Sequence, residues 1–238
     1  MAKQSGLNVR LYVEGNDLSG DANSLTGFGY SQENYDTTTL DLSAMSRIIG
    51  RVDSSVGVSA FFDSASTHIS AVATANSGKL PAVDQDVLIP LDSAIGSDCF
   101  AFVAKQSDYN VSGSTGSPIT VDVNYEVNGN LPDFGKMLTA FTDTHSSASS
   151  NASLDNSASS ASGGTAYLQV FSLASGTVVF KVEHSTNNAS WSTLATFTGA
   201  TGVTAERVAI TGTINRYVRL TSTGTFSNAV VACALKRD

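Results

Sequence analysis

The stretch GSPITVDVNYEVNGN, residues 116–130, decides the class of fold. Ile119, Val121, Val123, Tyr125 and Val127 alternate with Thr120, Asp122, Asn124, Glu126 and Asn128, the two-residue period of a strand with one dry and one wet face. The dry row is β-branched or aromatic throughout and is expected on a core. The wet row carries Asp122 and Glu126 and no cation. Upstream, residues 99–106 read as a second strand rich in apolar side chains, and the Gly, Ser and Pro residues at 112–118 supply a turn, so the two are expected to form a hairpin.

Working outward, residues 7–13 alternate as a first strand and residues 51–62 as another, with Val52, Val56, Val58, Ala60 and Phe62 opposite Asp53, Ser55, Gly57 and Ser59. Between them, residues 21–50 are polar and Gly-spotted with isolated Leu25, Phe28, Tyr30, Tyr35, Leu40, Leu42, Ile48 and Ile49. A connection of this length is uncommon in a compact domain, and its scattered apolar residues imply a loop that docks on something. A short helical turn is allowed at 42–47. Residues 64–75 predict one helix, with Ser64 as cap and Ala65, Ile69, Val72 and Ala73 along one side. Residues 86–91 read as a short strand ending at Pro90, and 131–141 as an extended or short helical exit.

The chain has 238 residues, 41% hydrophobic and 14% charged, enough to bury a core. No apolar run of about 18 residues exists and no secretory pattern opens the sequence, so synthesis in the cytosol and no membrane partner are expected. Residues 1–143 hold 17 acidic against 7 basic side chains, while 144–238 hold 4 against 6, so the net charge of −8 sits in the first part. That balance argues against a tight grip on nucleic acid, which needs cations against phosphate.

Residues 144–165 change composition abruptly, with nine serines in 22 positions, and read as a linker. Residues 166–238 follow as a second β unit with six short strands, at 167–173, 178–183, 192–197, 207–213, 217–221 and 229–235, the pattern of a small sandwich. Trp191 is expected to pack over its core. The fold class is therefore mainly β: residues 1–143 as two packed antiparallel sheets with one flanking helix, residues 144–165 as a connection, and residues 166–238 as a C-terminal β-sandwich.

Catalytic chemistry finds no support in the residues. No Gly-x-Ser-x-Gly elbow is present, and His68 on a helix, His145 in the linker and His184 in a turn each have a structural reading. Cys99 and Cys233 read as buried free thiols. The Asp17, Asp21, Asn23 group and the Asp84, Asp86 pair lack calcium-loop spacing and read as solvated turns. No metal site, cofactor or phosphate loop is expected. What remains is an acidic wet face built from Asp53, Asp122 and Glu126, read either as ordinary solvated sheet or as a channel wall that repels a phosphate backbone and lets DNA slide.

Taken together, LNVRLYVEGNDLSGDANSL at 7–25, RIIGRVDSSVGVSAFFD at 47–63, FVAKQSDYN at 102–110, AYLQVFSL at 166–173 and RYVRLTSTGTFSNAVVACALKR at 216–237 resemble the major tail (tail tube) proteins of long-tailed bacteriophages of the siphophage type. The resemblance implies a non-enzymatic virion protein of the tail. Six copies would form a ring with a β-barrel lumen, and rings would stack into a tube through the early loop, here residues 27–50. That tube would enclose the tape-measure protein, conduct double-stranded DNA during ejection, and meet tail terminator and tail-tip proteins. Residues 166–238 would lie outside, where host surface glycans are an available partner. A carbohydrate-binding or adhesin module using Trp191, and a capsid decoration protein, are the alternative readings.

Overall fold

The computed structural model describes residues 8–27, 29–65, 68–74 and 80–238. In chain order its strands are β1 (Tyr12–Val13), β2 (Asn16–Asp17), β3 (Ala22–Thr26), β4 (Ser31–Asp36), β5 (Arg47–Asp53) and β6 (Ser55–Phe61), followed by helix α1 (Ile69–Ala73). Then come β7 (Gln85–Pro90), β8 (Asp98–Ser112), β9 (Thr120–Val127), β10 (Asp133–Met137), β11 (Asp143–His145) and β12 (Leu154–Asp155). The last four are β13 (Gly164–Ser185), β14 (Ser192–Thr196), β15 (Thr204–Ile210) and β16 (Tyr217–Arg237). The protein is mainly β and all the pairings are antiparallel.

The hairpin expected from residues 116–130 forms, with β8 paired to β9 from Ala104↔Val127 to Ser112↔Thr120. Val121, Val123 and Tyr125 are buried, whereas Ile119 precedes the strand and is half exposed. At 15 residues β8 serves two layers. Its first half pairs with β7 and β10; its second half, from Ala104 on and through a bulge between Gln106 and Asp108, pairs with β9, which continues to β6 and β3. Between the layers lies a core that includes Val56, Val58, Ile69, Val72, Phe100, Phe102, Val121 and Tyr125.

The opposite faces of β1, β7 and β8 are also covered. Tyr12, Leu88, Cys99 and Ala101 pack on Met137, Tyr167, Ala232 and Ala234. Burial on both faces explains why Val87–Leu88–Ile89 and residues 99–102 read as continuous apolar runs and not as alternations.

Several expectations are corrected. Among the described residues of the helix read at 64–75, Ile69–Ala73 are helical. His68 occupies the cap position and makes no cap hydrogen bond; the Asp21 carboxylate, brought from a distant turn, accepts the Ile69 amide at 2.8 Å instead of Ser64. Residues 66, 67 and 75 of that expectation lie outside the described residues. The strand read at 51–62 is two strands, broken at buried Ser54, whose hydroxyl donates to the Gly29 carbonyl at 2.6 Å. Of the strand read at 7–13, Tyr12 and Val13 are extended and paired, and Leu7 lies outside the described residues. Residues 31–53 form a two-stranded hairpin, β4–β5, and the turn read at 42–47 is not helical. Residues 133–137 resolve the exit segment as a strand.

The C-terminal part also has fewer, longer strands than the six expected. Residues 167–173 and 178–183 belong to one 22-residue strand, β13, and 217–221 and 229–235 to one 21-residue strand, β16. They pair along nearly their whole length, with a register shift between Val170 and Ser172. The glycines that look like turns in sequence are accommodated inside the ladder: Gly176 at φ +88° and Gly224 at φ +113°, where a Cβ would meet Thr225 O at 2.1 Å and Thr177 O at 2.5 Å. A glycine within a strand marks such a close backbone approach. Both halves of β13 and β16 send residues into one core, including Leu168, Val170, Phe180, Val182, Leu220 and Val231, capped by β14 and β15.

The Ser-rich residues 144–165 are bound along one edge of β16. β11 pairs at 229–231, Ser150 bridges Thr221 and β12 pairs at 217–218, and Ser160 bridges Ile214 in the turn just before β16. Small polar side chains suit this role because the backbone makes the bonds. His184 lies within β13 and not in a turn.

Candidate functional site

The alternation of β9 is matched on its neighbours, and together they present one broad polar face. Asp122 stands between Ser59 of β6 and Asn110 of β8, Asn124 between Gly57 and Asp108, and Glu126 between Ser55 and Lys105. Ser24 and Thr26 of β3 extend the face beyond β6. A shallow depression of about 350 Å3 there is lined by Ser24, Thr26, Ser59, Asp108, Asn110 and Asp122. Asp108, Asp122 and Glu126 are exposed, and the cation on this face, Lys105, is held by Asp84 at 2.8 Å. Asp122 and Glu126 are four residues apart on one strand, about 13 Å, beyond the roughly 8 Å screening length at physiological salt, so they act as separate fixed charges.

Of the three acidic residues singled out in the sequence, the structure brings Asp122 and Glu126 together and puts Asp53 elsewhere. Asp53 ends β5 opposite Ser31, and its carboxylate accepts the Ser54 amide at 2.8 Å. The break at Ser54 separates it from β6. Asp108 takes the third place. Reading the strand only to Gln106 missed it, although Asp108, Asn110 and Ser112 alternate with Tyr109 and Val111 once the bulge is passed.

The second feature is the β4–β5 hairpin. Tyr30 donates to the Pro132 carbonyl at 2.6 Å and its ring lies 5.9 Å from that of Phe134, which fixes the base. Beyond the base, every residue of β4 is exposed. Tyr35, Leu42, Met45, Ile48 and Ile49 are also uncovered, and Leu40 is fully exposed. Tyr35 and Ile48 are partners across the hairpin and share one face, while Ile49 points to the other; large apolar residues left exposed together on one hairpin normally mark an interaction site.

Elsewhere, His145 and the two cysteines have structural roles. His145 is 3% exposed; its Nδ1 lies 2.7 Å from Ser222 Oγ and its Nε2 2.7 Å from Asn151 Oδ1. Burial lowers its pKa. Because Ser222 is itself 2% exposed, no substrate can reach this serine–histidine pair, which pins the Ser-rich segment to β16. Burial pushes the Cys99 thiol up to about 12 and raises that of Cys233, so both stay protonated and unreactive at neutral pH.

Trp191 does not enter the sandwich core as expected. It is half-buried, with the Arg219 guanidinium 4.1 Å over its ring and Glu183 holding that guanidinium at 2.7 Å. One ring face is therefore occupied and not open for stacking on a sugar. Of the acids read as solvated turns, Asp86 lies half-buried in β7 and Asp21 is 7% exposed.

No protein-family model matches the chain, and no curated protein matches it. Among solved structures, the Dit protein of phage SPP1, described as a hub adsorption apparatus in phages infecting Gram-positive hosts, aligns over 97% of this chain and 99% of its own at 11% identity and TM-score 0.39. The sheath–tube complex of an extracellular contractile injection system aligns over 56% of this chain and 92% of its own, at 11% identity and TM-score 0.43. A chain from the virion of a native gene transfer agent aligns over 56% and 98%, at 13% identity and TM-score 0.40.

Proposed function

We propose that this chain is a non-enzymatic structural subunit of a phage tail tube. Six copies close into a ring with the β3-β6-β9-β8 face toward the lumen, and stacked rings enclose the tape-measure protein and later conduct double-stranded DNA. Terminator and tail-tip proteins close the two ends. In this reading residues 1–143 are the ring-forming body, 144–165 the bound arm and 166–238 an outer domain available to host surface glycans.

The observation that carries the reading is the β4–β5 hairpin, whose exposed apolar residues are covered by no other described residue. A second copy supplies that cover, and a heterologous contact repeated from ring to ring builds a tube. The polar face supports the same reading: fixed negative charge against a phosphate backbone prevents sticking during passage.

The test is electron microscopy of the concentrated protein beside Leu40→Asp. Leu40 is fully exposed in the subunit, so the substitution leaves folding unchanged. In the assembly it removes about 2 kcal/mol of burial per contact, about 30-fold in association, and adds the cost of burying a carboxylate. Tubes or six-membered rings in the wild type and none in L40D are expected. Equal assembly by both proteins refutes the role of the hairpin. Antibody labelling of virions checks location: labelling along the whole tail supports the tube, and labelling only at the tip or on the head overturns it.

A further inference from the structure

We infer that Asp21, Asp63 and His68 form a binding site for one divalent transition-metal ion, which staples the turn before β3 to the segment that leads into α1. Their ligand atoms lie within 4.8 Å of one another although they come from two chain segments more than 40 residues apart. His68 Nδ1 is 2.7 Å from Asp21 Oδ1 and 3.5 Å from Asp63 Oδ2. At an ion about 2.1 Å from each ligand those separations subtend about 80° and about 113°, which bracket octahedral and tetrahedral geometry.

Each carboxylate uses its other oxygen to hold itself in place. Asp21 Oδ2 accepts the Ile69 amide at 2.8 Å and Asp63 Oδ1 the Ala65 amide at 2.8 Å, which leaves Asp21 Oδ1 and Asp63 Oδ2 for the ion. The Asp21 backbone is fixed as well, its amide on Leu18 O at 3.1 Å and its carbonyl accepting Phe61 N at 2.9 Å. Outer hydrogen bonds of this kind orient metal ligands before the ion arrives. Asp63 and His68 are 48% and 39% exposed on their side chains, so water completes the coordination and the ion has an entry path.

One imidazole and two carboxylates favour zinc, cobalt, nickel or manganese over calcium, which takes an all-oxygen shell. The contact at 2.7 Å is a hydrogen bond in the metal-free protein. Binding at Nδ1 displaces the hydrogen there: from the neutral imidazole it moves to Nε2 by a change of tautomer with no net release, and from the imidazolium one proton goes to solvent.

The probe is Co2+ titrated into the full chain and followed by visible ligand-field absorption and calorimetry, then displaced with Zn2+. One equivalent with a protein-induced band is expected, and His68→Gln abolishes the band. Asp63→Asn weakens binding about tenfold or more, and because Asp63 is exposed its thermal midpoint in chelator equals that of the wild type. No band at millimolar Co2+, or wild-type affinity in both variants, overturns the proposal.

Discussion

Replacing Asp86 with asparagine should stabilise the protein at neutral and alkaline pH. Asp86 lies in β7 against the β1–β2 turn, where its amide donates to Glu14 Oε1 at 2.5 Å and its carbonyl accepts Gln169 Nε2 at 2.9 Å, which joins the N-terminal layers to β13. Its own Oδ1 is buried without a partner. Burial first, and the neighbouring Glu14 carboxylate second, push its pKa from 3.8 up to about 7. Burial also raises Glu14.

A carboxyl whose pKa is raised by folding holds its proton more tightly in the native state. Its stabilisation is therefore full below about 3.8 and is lost as pH rises through about 7. A shift of roughly three units corresponds to at most about 4 kcal/mol between those limits. Asparagine cannot ionise, so Asp86→Asn should gain about 2 to 4 kcal/mol over the wild type at pH 8 and roughly nothing at pH 4. Urea unfolding followed by circular dichroism at several pH values reads this directly. Glu14→Gln should give a smaller gain of the same sign, because removing either charge relieves the other. A D86N difference that stays constant between pH 4 and 8, or that reverses sign at pH 8, refutes the argument.

Two further outcomes are expected. Reversing Asp122 and Glu126 to lysine leaves the fold intact, since both are exposed, but should make assembled tubes retain double-stranded DNA at low salt. Retention should fall with added salt, up to about two units of log–log slope for two new cations per subunit; a variant that retains no more DNA than wild type places this face away from the DNA path. Gly176→Ala should cost well over about 2 kcal/mol, because the new Cβ meets Thr225 O at 2.1 Å and φ is +88°. Gly116, at φ +84° in open space, should cost only about 1 kcal/mol on the same change, and equal urea midpoints for the two variants would show that the β13–β16 approach is not tight.

The local part of this architecture was legible in the residues. Alternation at 119–127 follows from the two-residue period of a strand, so β9, its dry face and the polarity of its wet face need no partner to be read. The hairpin with β8, the strand ending at Pro90, and the isolation of the apolar residues between 30 and 49 are equally local signals. The charge split was legible too, as was the small-residue composition of 144–165.

Pairing decided the rest. Ser54 breaks one apparent strand into two because its hydroxyl is claimed by Gly29, which moves Asp53 off the face it shares in sequence pattern with Asp122. A bulge after Gln106 turns Asp108 onto that face in its place. Asp21, 48 residues before Ile69, supplies the hydrogen bond that starts α1, so no local cap sequence could announce where the helix begins. Gly176 and Gly224 read as turns until the opposite strand is present, when they become the only residues that fit so close to its carbonyls. In each case the deciding atom lies on a segment distant along the chain, and a periodic pattern carries information about its own faces but none about which segment will cover them.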